Sequence, residues 1–221
     1  MIALISDIHG NYEALKEVLK EIDALGVNRV FCLGDITGYY TQVNECCDEL
    51  RSRGVKCILG NHDWYLISNS GCPRSKSAND CLTYQKKIIT QVNLEWLMEL
   101  PIYRRVGELA LVHGGWNNPL EEYLKPSYEY FSTYPNRFFA TGHTHKQTIQ
   151  KFDNKIYCNP GSVGQPRDGN CNAGFATFDG LNFQLYRVSY DVDKVCRLME
   201  QAGFSDYYYK RLKLGSEHFH N

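Results

Sequence analysis

At 221 residues the chain is long enough for one well-buried core and short for two full domains, so one domain over residues 1–221 is expected. A formal net charge of −1 with 22% charged residues gives no global reason for nucleic acid or a membrane surface as partner, leaving only a local basic groove open. No apolar run approaches the roughly 18 residues that span a bilayer.

The first strand, "IALIS", directly follows Met1, with no charged n-region or signal core ahead of it. Nine cysteines, scattered from Cys32 to Cys196 without a CxxC pair, read mostly as reduced, small core residues. Both features predict a cytoplasmic protein. "NYEALKEVLKEIDALG" has the apolar spacing of an amphipathic helix, capped by Asn11 and stopped at Gly26. "RVFCLG" reads as a strand, "TQVNECCDELRSRG" as a helix opened by Thr41 and closed by Gly54, and "VKCILG" as a strand. This βαβαβ order, with near-continuous apolar strands, predicts a parallel sheet covered on both faces.

From about Asp63 to Glu99 the texture is helical, broken at Gly71–Pro73 and continuing through "LTYQKKIITQV". After Pro101 come short strands: "IYRRV", "LALVH", "RFFAT", "TIQKF", "KIYCN", "GFATF" and "NFQLYRVSY". They turn at Gly107–Glu108, Asp153–Asn154 and Asp179–Gly180, as hairpins do. A last helix covers about Asp191 to Gln201, and the tail from about 204 to 221 has no clear period and no assigned role. The order predicts an α/β fold, a four-layer α-β-β-α sandwich of two mixed sheets flanked by helices. Its first half is expected to be mostly parallel and its second half richer in antiparallel pairs.

Five apolar runs end in polar groups: Asp7 and His9, Asp35, Asn61 and His62, His113, and His143 and His145. The carboxyl edge of an open α/β sheet is where ligands bind. Residues i and i+2 of extended chain face one side, so His143 and His145 can aim at one point. Singly, each residue has a plainer explanation: Asp7 as a turn cap, Asp35 as an Asx-turn, His113 as a satisfied core histidine. Jointly, those explanations require the same accident five times. The two remaining histidines, His218 and His220, lie in the tail outside this pattern.

Two carboxylates, one amide and four imidazoles, with His62 to spare, form a mixed nitrogen and oxygen donor set without cysteine. That argues against a thiolate zinc site and suits manganese, iron, zinc or nickel. Seven donors are too many for one ion and about right for two if one carboxylate bridges. Paired ions about 3.5–4 Å apart make a nucleophile from a shared water and clamp the oxygens of an in-line displacement at phosphorus. The pattern therefore predicts phosphoester hydrolysis.

"DIHGN", "GDITG", "GNHD", "VHGG" and "GHTH" resemble, in order and spacing, the successive motifs of the calcineurin-like metallophosphoesterase superfamily over residues 7 to 145. "NPGSVGQPRD" is similar to a segment of its small single-domain bacterial and archaeal phosphodiesterase branch, extending the coverage to about residue 168. The resemblance implies one ion held by Asp7, His9 and His145, a second by Asn61, His113 and His143, and Asp35 bridging them. Manganese is the first expectation for both ions, with nickel, iron or zinc as alternatives. It also implies attack by a bridging hydroxide, with His62 as the non-ligand histidine that stabilises the transition state or protonates the leaving oxygen.

Further substrate contacts are expected from Asn11 at the site mouth, Asp63 orienting His62, and Arg167, presented together with backbone amides by the loop around Gly161 and Gly164. The plainer readings are a helix cap, a solvated helix start and a rigid hairpin turn. "SYEYFSTY" and "DYYYK" could stack on a base or line a specificity cap, or serve as partial core or an oligomer surface.

"GDITGYY" lacks the Asp-Arg-Gly that family members acting on proteins carry, and the chain lacks the extra domain of the family's DNA-repair nucleases. The HxHxDH of metallo-β-lactamases is also absent. The expectation is a phosphoesterase acting on small phosphodiesters and also on monoesters. The alternatives are a nucleotide or dinucleoside-polyphosphate hydrolase and, more remotely, a non-catalytic protein-binding scaffold. Relatives are often dimers or larger, so homo-oligomerisation stays open.

Overall fold

In the computed structural model, which describes residues 1–216, the apolar runs become ten strands and the periodic segments seven helices; His218 and His220 lie outside the described residues. The first half runs β1 (Ile2–Ile5), α1 (Tyr12–Ala24), β2 (Val30–Cys32), α2 (Val43–Ser52) and β3 (Lys56–Cys57). Helices α3 (Asn61–Ile67), α4 (Lys76–Ile88) and α5 (Gln91–Met98) follow. Next come β4 (Tyr103–Val106), β5 (Leu109–Val112), α6 (Tyr128–Ser132), β6 (Phe138–Ala140), β7 (Thr148–Phe152) and β8 (Lys155–Asn159). The chain continues through β9 (Ala173–Phe178), β10 (Phe183–Val188) and α7 (Val192–Gln201) to two 3₁₀ turns, Asp206–Tyr208 and Lys210–Leu214.

Two five-stranded mixed sheets result, ordered β10-β9-β1-β2-β3 and β4-β5-β6-β8-β7. The three expected hairpins are antiparallel pairs, and β1, β2 and β3 pair in parallel. As expected, the first half pairs in parallel and the second half is richer in antiparallel pairs, although the two halves are not separate sheets. β5, β6 and β8 run parallel, and the β9–β10 hairpin crosses back to pair antiparallel with β1. The reason is long-range: β1 needs a partner on its other edge, and the apolar "GFATF" supplies it.

Alternation along β1 divides its side chains between two cores. Leu4 joins Phe31, Leu33, Leu111 and Phe138 between the sheets, whereas Ala3 and Ile5 face outward to Leu15, Val18 and Ile22 of α1. Over the second sheet the covering layer is thin. The five-residue α6 inserts Phe131 against Phe139 and Tyr157, with Trp116 and Tyr134 around it. Of "SYEYFSTY", Tyr130, Phe131 and Tyr134 therefore pack against this sheet, while Tyr128 stays exposed.

Asn11 caps α1 as expected, its Oδ1 accepting from Ala14 N at 3.1 Å. Thr41 does not open α2. The N-cap is Gln42, without a side-chain bond, because the backbone already anchors this entry through Gln42 N to Gly10 O at 3.0 Å.

Candidate metal centre

All five motif ends meet at the carboxyl edges of β1, β2, β3, β5 and β6, so donors converge from both sheets. Asp7, His9, Asp35, Asn61, His113, His143 and His145 are each no more than 4% exposed. Five of these seven, Asp7, His9, Asp35, His143 and His145, adopt left-handed backbone with φ between 54° and 65°. Such strain is tolerated where the surroundings over-determine it, and it gathers at functional sites. Here the surroundings are interlocked loops: Asp7 N donates to Gly34 O at 3.0 Å, His9 N to Asp35 O at 2.9 Å, and Gly142 N to His113 O at 2.9 Å. Gly60 is required for a different reason, since a Cβ there would collide with the Asp35 carboxylate and backbone.

The donor atoms form two groups that share Asp35: Asp7, His9, Asp35 and His145, and Asp35, His113 and His143. Asp35 Oδ2 lies 3.7 Å from His9 Nε2 and 3.4 Å from His113 Nε2, and Asp7 Oδ1 lies 3.3 Å from His145 Nε2. Asn61 belongs with the second group, its Oδ1 3.0 Å from both His113 Nε2 and His143 Nδ1.

The outer bonds of the imidazoles determine what their inner nitrogens offer. His9 Nδ1 lies 2.8 Å from Thr37 O, His113 Nδ1 2.8 Å from Leu33 O, and His145 Nδ1 2.6 Å from Gln165 O. A carbonyl only accepts, so each Nδ1 carries a proton, and a ring without a second proton turns an Nε2 lone pair inward. Acceptor then faces acceptor, His9 Nε2 to His145 Nε2 at 3.1 Å and His113 Nε2 to Asn61 Oδ1. Such an arrangement needs positive charge between the atoms, and divalent metal ions fit this donor set.

Protons are the alternative source of charge. Burial opposes protonation of His113, but Asp35 more than offsets it and raises its pKa to about 10. Burial also works against the Asp35 and Asp7 carboxylates, yet facing histidines, His113 foremost for Asp35 and His145 for Asp7, hold both below the ordinary range. For His9 and His143 burial dominates and lowers both, His143 to about 3.

His62 stands beside the donors, its ring centroid 4.9 Å from that of His9 and 5.0 Å from that of Tyr39. Burial lowers its pKa to about 4, leaving it neutral at neutral pH. Asp63 does not orient it. Fully buried, the Asp63 carboxylate accepts from Thr37 N at 2.9 Å and Gly60 N at 3.0 Å, fastening two motif loops together. Burial, with Asp35 next, raises its pKa to about 6.

Asn11 is likewise absent from the site mouth. Beyond its capping role, its Nδ2 donates to Gly164 O at 2.9 Å, tying α1 to the 160s loop. That loop keeps its amides to itself, Val163 N donating to Ser6 O and Gly164 N to Asp7 O, both at 2.9 Å. The amides are therefore structural, and the loop faces the site through the side chains of Gln165 and Arg167.

A cavity of about 420 Å³ opens over the donors. Its walls include Arg167, whose Nη2 donates to Tyr39 Oη at 3.1 Å, and residues not anticipated from sequence: Tyr39, Arg74, Tyr123 and Arg211. Tyr39 directly follows "GDITG", a position from which it could have been read. Tyr207 and Tyr208 of "DYYYK" also line it. Among the described residues no helix is long and apolar enough to cross a membrane.

Residues 1–181 match the calcineurin-like phosphoesterase superfamily domain. An uncharacterised protein of Methanocaldococcus jannaschii is 34% identical over 97% of this chain and 98% of its own length. The crystal structure of a metallophosphoesterase from Sphaerobacter thermophilus superposes with a TM-score of 0.83 at 28% identity, covering 97% of this chain and 98% of that one. A symmetrical bis(5'-nucleosyl)-tetraphosphatase of Sodalis glossinidius is 30% identical over a shorter stretch, 51% of this chain and 42% of that protein. The family match runs through every one of the clustered motifs: the chain belongs to the calcineurin-like phosphoesterase superfamily, and it is a phosphohydrolase.

Proposed function

We propose that the chain hydrolyses small phosphodiesters, and phosphomonoesters secondarily, with two divalent ions of which manganese is the first choice. Asp7, His9 and His145 would hold one ion and Asn61, His113 and His143 the other, with Asp35 common to both. The observation that carries this reading is the pair of donor groups sharing Asp35, with inward lone pairs set by three backbone carbonyls. Bound ions would supply Lewis acidity and an activated water at neutral pH.

The remaining roles belong to the chain's own side chains. Neutral His62, at the cavity wall, donates a hydrogen bond to the phosphoryl group or to the leaving oxygen. Arg167, braced by Gln165 Oε1 at 2.6 Å and by Tyr39, holds its guanidinium toward the phosphate. The carbonyl bonds behind the histidines keep the donor rings from turning. We place this chemistry in one cytoplasmic domain.

Protein stripped of metal and then given manganese, nickel, zinc or magnesium separately tests the reading with bis-p-nitrophenyl phosphate against p-nitrophenyl phosphate. Manganese-dependent cleavage favouring the diester is expected. Preference for the monoester would replace the diesterase reading with a phosphatase, and no cleavage with any metal would remove both. Hydrolysis of nucleotides or dinucleoside polyphosphates is a second reading, favoured by the cavity's size and by the partial match to a tetraphosphatase.

A further inference from the structure

The family match ends at residue 181, yet the cavity is not closed without chain beyond it. Tyr207, Tyr208 and Arg211 of the two 3₁₀ turns form an outer wall over the donors. This wall is docked at three points. Leu212, 2% exposed, packs with Tyr40, Cys81, Val195 and Met199; Tyr208 Oη donates to Asp80 Oδ2 at 2.7 Å; and Gly169 N donates to Gly215 O at 2.9 Å. A segment so anchored has a fixed shape to present.

The lining indicates what that shape receives. Five tyrosines and three arginines face the space, against one carboxylate, Asp35, which belongs to the donor groups. Among the described residues Pro166 and Leu212 are the only aliphatic ones lining it, a poor match for an acyl chain. All three arginines lie over tyrosine rings at the walls, Arg74 Cζ 5.3 Å from the centre of Tyr123, Arg167 Cζ 5.6 Å from that of Tyr39 and Arg211 Cζ 5.5 Å from that of Tyr207. Tyr207 keeps 51% of its surface open. Arg74 is also paired with Glu121, and guanidinium and phenol faces stacked in this way offer flat surfaces, with the charges of Arg167 and Arg211 beside them, suited to a planar ring with phosphate attached. A volume of about 420 Å³ also lies in the range that takes drug-sized ligands, well beyond a lone phosphate.

We propose that the C-terminal turns, with Arg74 and Tyr123, form a subsite for a nucleoside, making the natural substrate a nucleotide-type phosphoester whose base stacks at Tyr207. This rests on the phosphoesterase reading of the cavity floor. The shared domain then supplies the hydrolysis and the appended turns select what is hydrolysed.

Calorimetric titration of the manganese-loaded protein with adenosine 5′-monophosphate, ribose 5-phosphate and inorganic phosphate tests the subsite. The nucleotide is expected to bind at least tenfold more tightly than either other probe. Tyr207→Ala should bring that ratio to within about twofold, and Tyr207→Phe, which keeps the ring, should preserve it. Equal binding of nucleotide and phosphate, equal binding of nucleotide and sugar phosphate, or a ratio unmoved by Tyr207→Ala would each overturn the proposal. Cleavage of p-nitrophenyl esters without nucleotide preference would sink the subsite alone. Nucleotide preference lost in Tyr207→Ala, without any ester cleavage, would uphold the subsite and sink the hydrolytic reading.

Discussion

His9 Nε2 and His145 Nε2 stand 3.1 Å apart, each ring held from behind by a carbonyl, Thr37 O and Gln165 O respectively. Two ring nitrogens this close, with both Nδ1 protons taken up by carbonyls, are joined favourably by a cation, so ion binding should appear as stability. Two ions per chain are expected by metal analysis. Free manganese at a hundredfold its dissociation constant should stabilise the fold by about 2.7 kcal/mol per site. Asp35→Ala should lower occupancy at both sites, whereas His113→Ala should empty only one. Scanning calorimetry with chelator and with manganese, alongside metal content, checks both points.

Proton and cation compete at His113. Its pKa, raised by Asp35 to about 10, lies above the ordinary 6.5, so its stabilising contribution is complete below pH 6.5 and is lost as pH rises through about 10. A cation that displaces this proton should bind more tightly as pH rises across the same window. Manganese affinity measured between pH 6.5 and 9, in buffers of different ionisation enthalpy, should rise with pH and show proton release. A pH-independent affinity would contradict the assignment.

His62 touches the cavity yet belongs to neither donor group. His62→Asn is expected to lower kcat by about 10²–10³-fold, the size of one lost hydrogen-bond donor to the transition state, while both ions stay bound. Loss of metal in this variant would show that the residue holds the centre together instead.

Gly60→Ala places a methyl group against Asp35. Overpacking of this kind costs about 1–3 kcal/mol, and here the atom displaced is the shared carboxylate. Denaturant melts should show the loss, and metal content should fall below two ions per chain.

Eight of the nine cysteines are buried, and Cys171 is intermediate. Burial raises the pKa of the Cys46, Cys47, Cys57, Cys81 and Cys158 thiols, Cys81 to about 12. Thiolate is the reactive form, so a disulfide reagent should label about one thiol rapidly in the native protein and all nine after unfolding. Several fast thiols in the native state would contradict this burial.

Most of the site was legible because its donors end strands, and apolar runs that stop at Asp, Asn or His are visible in one dimension. Asn11 and Asp63 show where that legibility stops. A polar residue at a helix start can face a ligand or a backbone amide, and only the packed loops decide; both here serve amides. The left-handed backbone at His143 and His145 escapes any periodicity argument, because i and i+2 reasoning assumes extended chain. The sheet that "GFATF" joins depends on an edge left open some 170 residues earlier, which no local signal encodes. The tail was unreadable for a related reason: short 3₁₀ turns have no amphipathic period, and Leu212 matters only once Tyr40 and Met199 are beside it.

The return of β9 and β10 to β1 also sets an order of events during synthesis. Every candidate metal donor has been made once His145 leaves the ribosome, but β1 lacks its second neighbour until Phe178 follows. In between, a nascent chain has all the ligands, an open edge on a strand buried on both faces, and no finished sheet to hold it. Chains stopped between His145 and Ala173 should therefore aggregate through that edge and fail to take up metal, although no ligand is missing.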